Sequence, residues 1–258
     1  MRLSDVPKAS FWPYDVFGYM LPGATFLTGV ALGQSWLSTR IVSLWNTKDW
    51  PELILLLLGA YLTGHAISAI SSLLIEAYLM SATWLLPSAR LMPETKTPTS
   101  RWRRRWFWKT LRWFGDRLAP NYRKPYPEDF QNAVKNSFRD AFGEDFQHPH
   151  TRFWMCWTFI SLHHPAAYRR GSHFVELYGF SRNTTMSFVL ISLLPAFGCL
   201  QRAWTPPVTA WLWTSSSFVI ALFFFSNYLK LMKRMDDEMF HAFVAARWAP
   251  LTEPSEKH

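Results

Sequence analysis

Cysteine is scarce in this chain, and its scarcity excludes several classes of protein. Only Cys156 and Cys199 occur among the 258 residues, and neither belongs to a CxxC motif. Two such thiols cannot build a disulfide framework, and they lack the spacing of a metal or redox site. We expect both to be unpaired thiols in a reduced or buried setting.

Motifs of the common enzyme classes are also missing. The sequence has no glycine-rich phosphate loop, no GxSxG motif and no paired carboxylates in an arrangement that suits a catalytic pocket. We therefore expect no catalytic residue, no cofactor and no bound metal, and we predict that the protein is not an enzyme.

Histidines in the middle of the chain keep a membrane-embedded metal hydrolase as a weaker alternative. No HExxH motif is present, and prolines interrupt the helical spacing of these histidines, so surface positions are the favoured interpretation. The histidines concerned are His148, His150, His163, His164 and His173.

Acidic residues are outnumbered by basic ones, 18 against 27, and the net charge is +9. The basic residues concentrate in 81–184, whereas the segment 38–50 contains only Arg40 and Lys48. The positive-inside rule then predicts a multi-pass protein of the bacterial inner membrane, with both termini and the 81–184 region in the cytoplasm. No cleavable signal peptide is expected, because prolines and aspartates interrupt residues 1–15.

Four apolar runs predict membrane-spanning helices, each of which needs about 20 mostly apolar residues. We expect an all-α fold with a helical cytosolic insert between the second and third spans. The three predicted segments are 1–80, 81–184 and 185–258, and the last ends in an amphipathic cytosolic extension. The predicted spans are Val16 to Leu37, Pro51 to Met80, Thr185 to Leu200 with Pro195 inside it, and Val208 to Tyr228.

The second predicted span carries a polar stripe at helical spacing, although the rest of its surface is apolar. A spanning helix must hide such groups from lipid, either against other helices or along water. The stripe therefore predicts a pore lining or a helix-packing face, and its members are Tyr61, His65, Ser68, Ser72 and Glu76. In the first predicted span, Gly29 and Gly33 form a GxxxG motif that predicts a close helix contact.

A basic, tryptophan-rich run follows the second span, in a chain with 15 tryptophans. Read as a helix over 101–118, it places aromatic rings on one side and arginines largely on the other, which is typical of a helix lying on an anionic membrane surface. A protein partner remains open, and nucleic acid is the less favoured interpretation. The binding residues would be Arg101, Trp102, Arg103, Arg104, Arg105, Trp106, Lys109, Arg112 and Trp113.

Further helices are predicted in the insert. Pro127-Glu128-Asp129 has the composition of a helix start. Residues 151–180 predict two short helices, broken at Pro165 and Gly171.

Two strings, WPYDVFGYMLPG (12–23) and ELYGFSRN (176–183), resemble those of a loose group of small four-span bacterial membrane proteins, of the kind seen as anti-phage defence membrane effectors. The resemblance implies structural or gating roles for residues of both strings. Because the predicted topology places both strings at the cytosolic interface, we also expect Arg182 to pair with either Asp15 or Glu176. The residues implied are Tyr14, Asp15, Gly18, Tyr19, Pro22, Gly23, Glu176, Tyr178, Arg182 and Asn183.

These patterns together predict a membrane effector that oligomerises with itself and permeabilises or depolarises the inner membrane on a cytosolic trigger. Its expected partners are anionic membrane lipid, further copies of the chain and a cytosolic sensor protein. The alternative from another class is a membrane anchor or scaffold that recruits a cytosolic partner.

Overall fold

The computed structural model describes residues 15–33, 50–80, 91, 113, 116–122, 124–143, 149–200 and 207–248. This part of the chain is helical and contains no strand, so the predicted all-α class is confirmed. Two of the helices include π-helical segments. The helices are α1 (Leu21–Gly33, preceded by π-helical Asp15–Met20), α2 (Trp50–Ser71, continued by π-helical Ser72–Met80), α3 (Glu128–Phe142), α4 (Pro149–His163), α5 (Pro165–Leu200) and α6 (Pro207–Trp248).

The described helices are divided between two compact units. The first unit contains the described residues up to Glu76 and from Glu176 to Tyr228, and the second contains those of Ala77–Val175 and from Leu229 onward. Helices α5 and α6 therefore each contribute to both units. The predicted segments 1–80, 81–184 and 185–258 stay predictions about how the sequence is organised.

Helix α5 forms the interior of the first unit. Residues 181–187, with the sequence SRNTTMS, are buried without interruption, so every face of this stretch of helix is covered. The ring of Phe180 meets Phe17 edge-on at 6.4 Å between centroids, and Phe188 stacks on Phe224 of α6 at 6.0 Å. The most polar stretch of the unit is thus enclosed by the more apolar helices.

The outer surface of the first unit is apolar. Exposed leucine and isoleucine side chains cover α2 from Leu53 to Leu74, and α6 exposes a similar row from Trp211 to Phe223. Within the described part of the chain, three helices are long and apolar enough to cross a membrane, over Asp15–Leu32, Trp50–Ala77 and Ala210–Arg247. Such an arrangement, with apolar groups outside and polar groups inside, is what a bilayer requires of a helical protein.

The predicted span at Thr185 to Leu200 lies within α5 and is not among these three helices. Its helix begins much earlier, at Pro165, and includes the polar residues that the unit encloses. Four spans therefore stay a prediction, whereas the described residues of all four segments are helical.

The second unit has an aromatic core. Phe153 packs edge-on against Phe240 at 5.9 Å, and Phe159 does the same against Phe243 at 5.5 Å. Helix α3 begins at Glu128, directly after Pro127, so the predicted helix start is confirmed. It ends at Gly143, whose φ of 69° is a left-handed conformation that glycine adopts readily.

One predicted helix break is confirmed and the other is wrong. Helix α4 ends at His163 and α5 begins at Pro165, as expected of a proline at the first helical position. No break occurs at Gly171, since α5 runs through it. A Cβ at this glycine would lie 3.0 Å from the Trp157 ring, so Gly171 serves close helix packing instead.

Candidate functional site: a polar junction between three helices

Helices α1 and α2 cross with their backbones in contact. A Cβ at Gly23 would overlap the carbonyl oxygen of Ala60, and a Cβ at Gly64 would overlap the carbonyl oxygen of Tyr19. Glycine is needed at both positions, because only a residue without a side chain allows this approach. The crossing brings the start of the first span against the middle of the second.

Pro22 lies just after the π-helical segment Asp15–Met20, and a proline has no N–H to donate within the helix. The Gly18 carbonyl oxygen, four residues before this proline, accepts a hydrogen bond from another helix, since Asn183 Nδ2 on α5 donates to it at 2.7 Å. Ser187, one turn further along α5, donates to the Pro22 carbonyl oxygen at 2.9 Å.

The same asparagine joins α5 to α2. Its Oδ1 accepts a hydrogen bond from the Ser71 hydroxyl at 2.6 Å and another from Arg182 Nε at 3.2 Å. Asn183 and Ser71 are completely buried. Asn183 therefore contacts both other helices, and its amide has bonding partners at both ends.

Arg182 forms the charged part of the site. Its Nη1 lies 2.6 Å from Glu76 Oε1, and its Nη2 donates to the Ser68 hydroxyl at 3.2 Å. The Arg182 side chain is 8% exposed and that of Glu76 is 30% exposed. The pair is thus sheltered at the arginine end and more accessible at the carboxylate end.

We call this set of residues the polar junction. It holds three helices together through side chains that sit inside an apolar bundle, where an unmatched polar group is costly. Among the described residues, the Thr184 hydroxyl nearby is buried without a hydrogen-bond partner. The residues of the junction are Gly18, Pro22, Ser68, Ser71, Glu76, Arg182, Asn183 and Ser187.

The predicted polar stripe of α2 is divided between two faces. Ser68 and Glu76 lie in the polar junction. His65 is exposed, Tyr61 is half-buried, and the two rings pack on each other at 4.3 Å. Ser72 is half-buried between these groups. The face that α2 buries instead includes Ala60, Gly64, Ile67, Ser68 and Ser71.

The two strings singled out by resemblance meet in space, although more than 150 residues separate Gly18 from Asn183. Gly18 and Pro22 of the first string contact α5, and Tyr19 and Gly23 contact α2. The structure gives Arg182 a carboxylate partner, Glu76, that the sequence analysis did not assign to it. Of the remaining members, Asp15 and Glu176 are both half-buried. The ring centroid of Tyr178 lies 6.1 Å from that of Tyr228. Tyr14 lies outside the described residues.

Other predicted residues lie away from the junction or outside the described part of the chain. Gly29 contacts Ile191 of α5, because a Cβ there would lie 2.6 Å from that side chain. The surroundings of Gly33 are not described. Trp113 is exposed, with Arg117 over its ring at 5.1 Å. The rest of the basic run is outside the described residues: Arg101, Trp102, Arg103, Arg104, Arg105, Trp106, Lys109 and Arg112.

The histidines of α4 and α5 do not form a metal centre in the described part of the chain, where no group of His, Cys, Asp or Glu has a suitable arrangement. His163 packs on Phe159 at 4.6 Å instead. In the second unit, burial raises the pKa of the Cys156 thiol, which therefore stays neutral.

Sequence reasoning missed two residues of the junction and one of the helix crossing. Ser71 and Ser187 look like ordinary serines of apolar helices, and Gly64 of the crossing stands alone without a glycine partner four residues away. A signal was nevertheless present at Pro22, since a proline within a helix frees a carbonyl oxygen that something must satisfy.

Comparison of the chain with protein-family models, with curated proteins and with solved structures found no match.

Proposed function

We propose that this protein is a membrane effector of the bacterial inner membrane, which assembles from several copies and permeabilises the membrane on a cytosolic trigger. The observation that carries the proposal is the ion pair between Arg182, which is 8% exposed, and Glu76, in a bundle with an apolar exterior. Glu76 belongs to the apolar helix Trp50–Ala77, and ionisable residues in membrane-spanning helices are costly and usually serve a function.

The polar junction supports a two-state role for this pair. In the closed state, Arg182 holds Glu76 and Ser68 of α2, while Asn183 holds the Gly18 carbonyl of the first helix. Separation of α2 from α5 would leave these groups without partners. Water or ions would then have to solvate them, so an opened junction is a polar path through an apolar bundle.

The proposal includes an orientation and partners. Both termini and the 81–184 region face the cytoplasm, where a sensor protein would deliver the trigger. The basic run at 101–118 would bind anionic lipid at the same surface.

The test is membrane potential in cells that express the Glu76→Gln variant. This change removes the charge that holds Arg182, so we expect depolarisation without a trigger, whereas the wild-type chain depolarises only when triggered. The matched control is Glu52→Gln, which neutralises an exposed carboxylate at the start of the same helix.

Two outcomes separate success from failure. Depolarisation by Glu76→Gln and not by Glu52→Gln supports the proposal. An unchanged membrane potential, with folded Glu76→Gln protein present in the membrane at wild-type amounts, contradicts it.

A membrane anchor that recruits a cytosolic partner is the second candidate. The compact second unit, with its own aromatic core, favours it. For an anchor, we expect Glu76→Gln to leave the membrane potential unchanged while the chain still captures its partner from cytosol.

A further inference from the structure

His65 occupies an unusual position for an imidazole. It lies near the middle of the apolar helix Trp50–Ala77, yet its side chain is exposed on the surface of the first unit. In a bilayer, this surface would face acyl chains, which offer no hydrogen bonds. A single copy of the chain thus leaves a polar group where lipid cannot satisfy it.

Neighbouring rings hold this imidazole in place. Tyr19 stacks on it at 4.0 Å with an interplanar angle of 20°, and Tyr61 packs on it at 4.3 Å. His65 Nδ1 lies 3.1 Å from the Tyr61 carbonyl oxygen. A carbonyl oxygen can only accept, so this hydrogen bond requires a proton on Nδ1, and in that tautomer of the imidazole Nε2 is an acceptor.

A matching donor lies one turn away on the same helix. The Tyr61 hydroxyl has no hydrogen-bond partner among the described residues, and it can donate a proton to an imidazole nitrogen. Donor and acceptor on one face make that face complementary to itself. A two-fold contact would pair Tyr61 of each copy with His65 of the other.

The surface beside His65 is also shaped for close approach. Ala69, one turn along α2 from His65 and on the same face, is exposed. Small residues let helices approach closely in lipid, and histidines and other polar groups then bond across the contact.

We propose that this face of α2 binds the same face of a second copy of the chain, through hydrogen bonds from Tyr61 to His65. The inference rests on the assembly part of the proposed function and names its contact surface. It does not depend on permeabilisation, so a failure of the membrane-potential experiment leaves it standing.

Disulfide cross-linking of the full chain in lipid vesicles tests the contact. Cys156 and Cys199 are replaced by alanine, and single cysteines are introduced as Leu58→Cys or Ala69→Cys, both at exposed positions on the His65 face. The controls, Leu212→Cys and Phe223→Cys, lie on the equally exposed face of α6. We expect roughly tenfold more covalent dimer from the α2 positions, because a specific contact raises the effective concentration of the paired thiols.

Removal of the hydrogen-bonding groups tests the chemistry. In the Ala69→Cys background, His65→Leu and Tyr61→Phe should each reduce the covalent dimer several-fold, whereas Leu62→Met, an apolar change on the same exposed face, should not.

Three results would overturn the inference. The first is equal cross-linking on α2 and α6, which indicates random collision, and the second is no cross-linking at the α2 positions in vesicles. The third is a dimer that is insensitive to His65→Leu. A cross-link to a different protein in cell membranes, without a dimer of the purified chain, would assign the face to that other partner.

Discussion

At the scale of single residues, Asn183 joins a distant helix to the backbone beside Pro22. Pro22 has no N–H to donate, and the Asn183 amide on α5 donates to the nearby Gly18 carbonyl oxygen. In the sequence, the resemblance of the two strings was the only indication that Gly18, Pro22 and Asn183 are important. The physical link between them was hidden, since sequence order gives no information about which distant side chain meets a given carbonyl.

The charge pair of the polar junction gives the first residue-scale prediction. Arg182→Met should lower the free energy of unfolding by about 3 kcal/mol, because it leaves Glu76 without its cation in a largely buried setting. The double variant Arg182→Met/Glu76→Met should recover much of this loss, since both charges are then gone. Reversible unfolding in mixed detergent and lipid micelles, followed by tryptophan fluorescence, measures both values.

A matched control exists in the second unit. Arg170 pairs with Glu238 at 2.8 Å, but their side chains are 65% and 35% exposed. Arg170→Met should therefore cost at most about 1 kcal/mol. A double variant in the junction that is as unstable as Arg182→Met alone would contradict the assignment of Glu76 as its partner.

At the scale of helices, the crossing of α1 and α2 depends on glycine at position 64. Gly64→Ala should destabilise the protein by about 1–3 kcal/mol, because the new Cβ overlaps the backbone of Tyr19 and forces the helices apart. Gly59→Ala on the same helix meets nothing and should be neutral or stabilising by up to about 1 kcal/mol. Equal effects of the two substitutions in the same unfolding measurement would show that the crossing is looser than described.

Periodicity and hydropathy predicted the helices well where a local sequence signal or the surrounding lipid determines the helix. The helix starts at Glu128 and Pro165 follow from local proline chemistry, and the apolar lengths of α2 and α6 follow from the requirements of a bilayer. Gly171 was wrongly predicted to break the helix, because glycine occurs both at helix breaks and at close helix contacts, and the sequence does not distinguish the two. The division of the α2 stripe was equally inaccessible, because a helical wheel shows a face but not which neighbour covers it.

At the scale of the whole molecule, the division into two units can be followed with Cys156. This thiol is completely buried in the second unit, and burial raises its pKa, so the reactive thiolate is scarce. In a Cys199→Ala variant, maleimide should modify Cys156 at least about tenfold more slowly in the folded protein than after denaturation.

Labelling of Cys156 at increasing denaturant also reports on cooperativity. A Cys156 that becomes reactive while the tryptophan signal of the spanning helices is unchanged would show that the second unit unfolds by itself. Rapid labelling of the native protein would contradict the described burial.

The enclosed SRNTTMS stretch of α5 has a consequence for biosynthesis. A helix with this sequence is a poor candidate to enter lipid alone, because its arginine, asparagine and hydroxyls would meet hydrocarbon. Its carbonyl, serine and glutamate partners are carried by α1 and α2, which the ribosome makes first. We therefore expect this part of α5 to integrate into the membrane only after α1 and α2 are in place to bond its polar side chains.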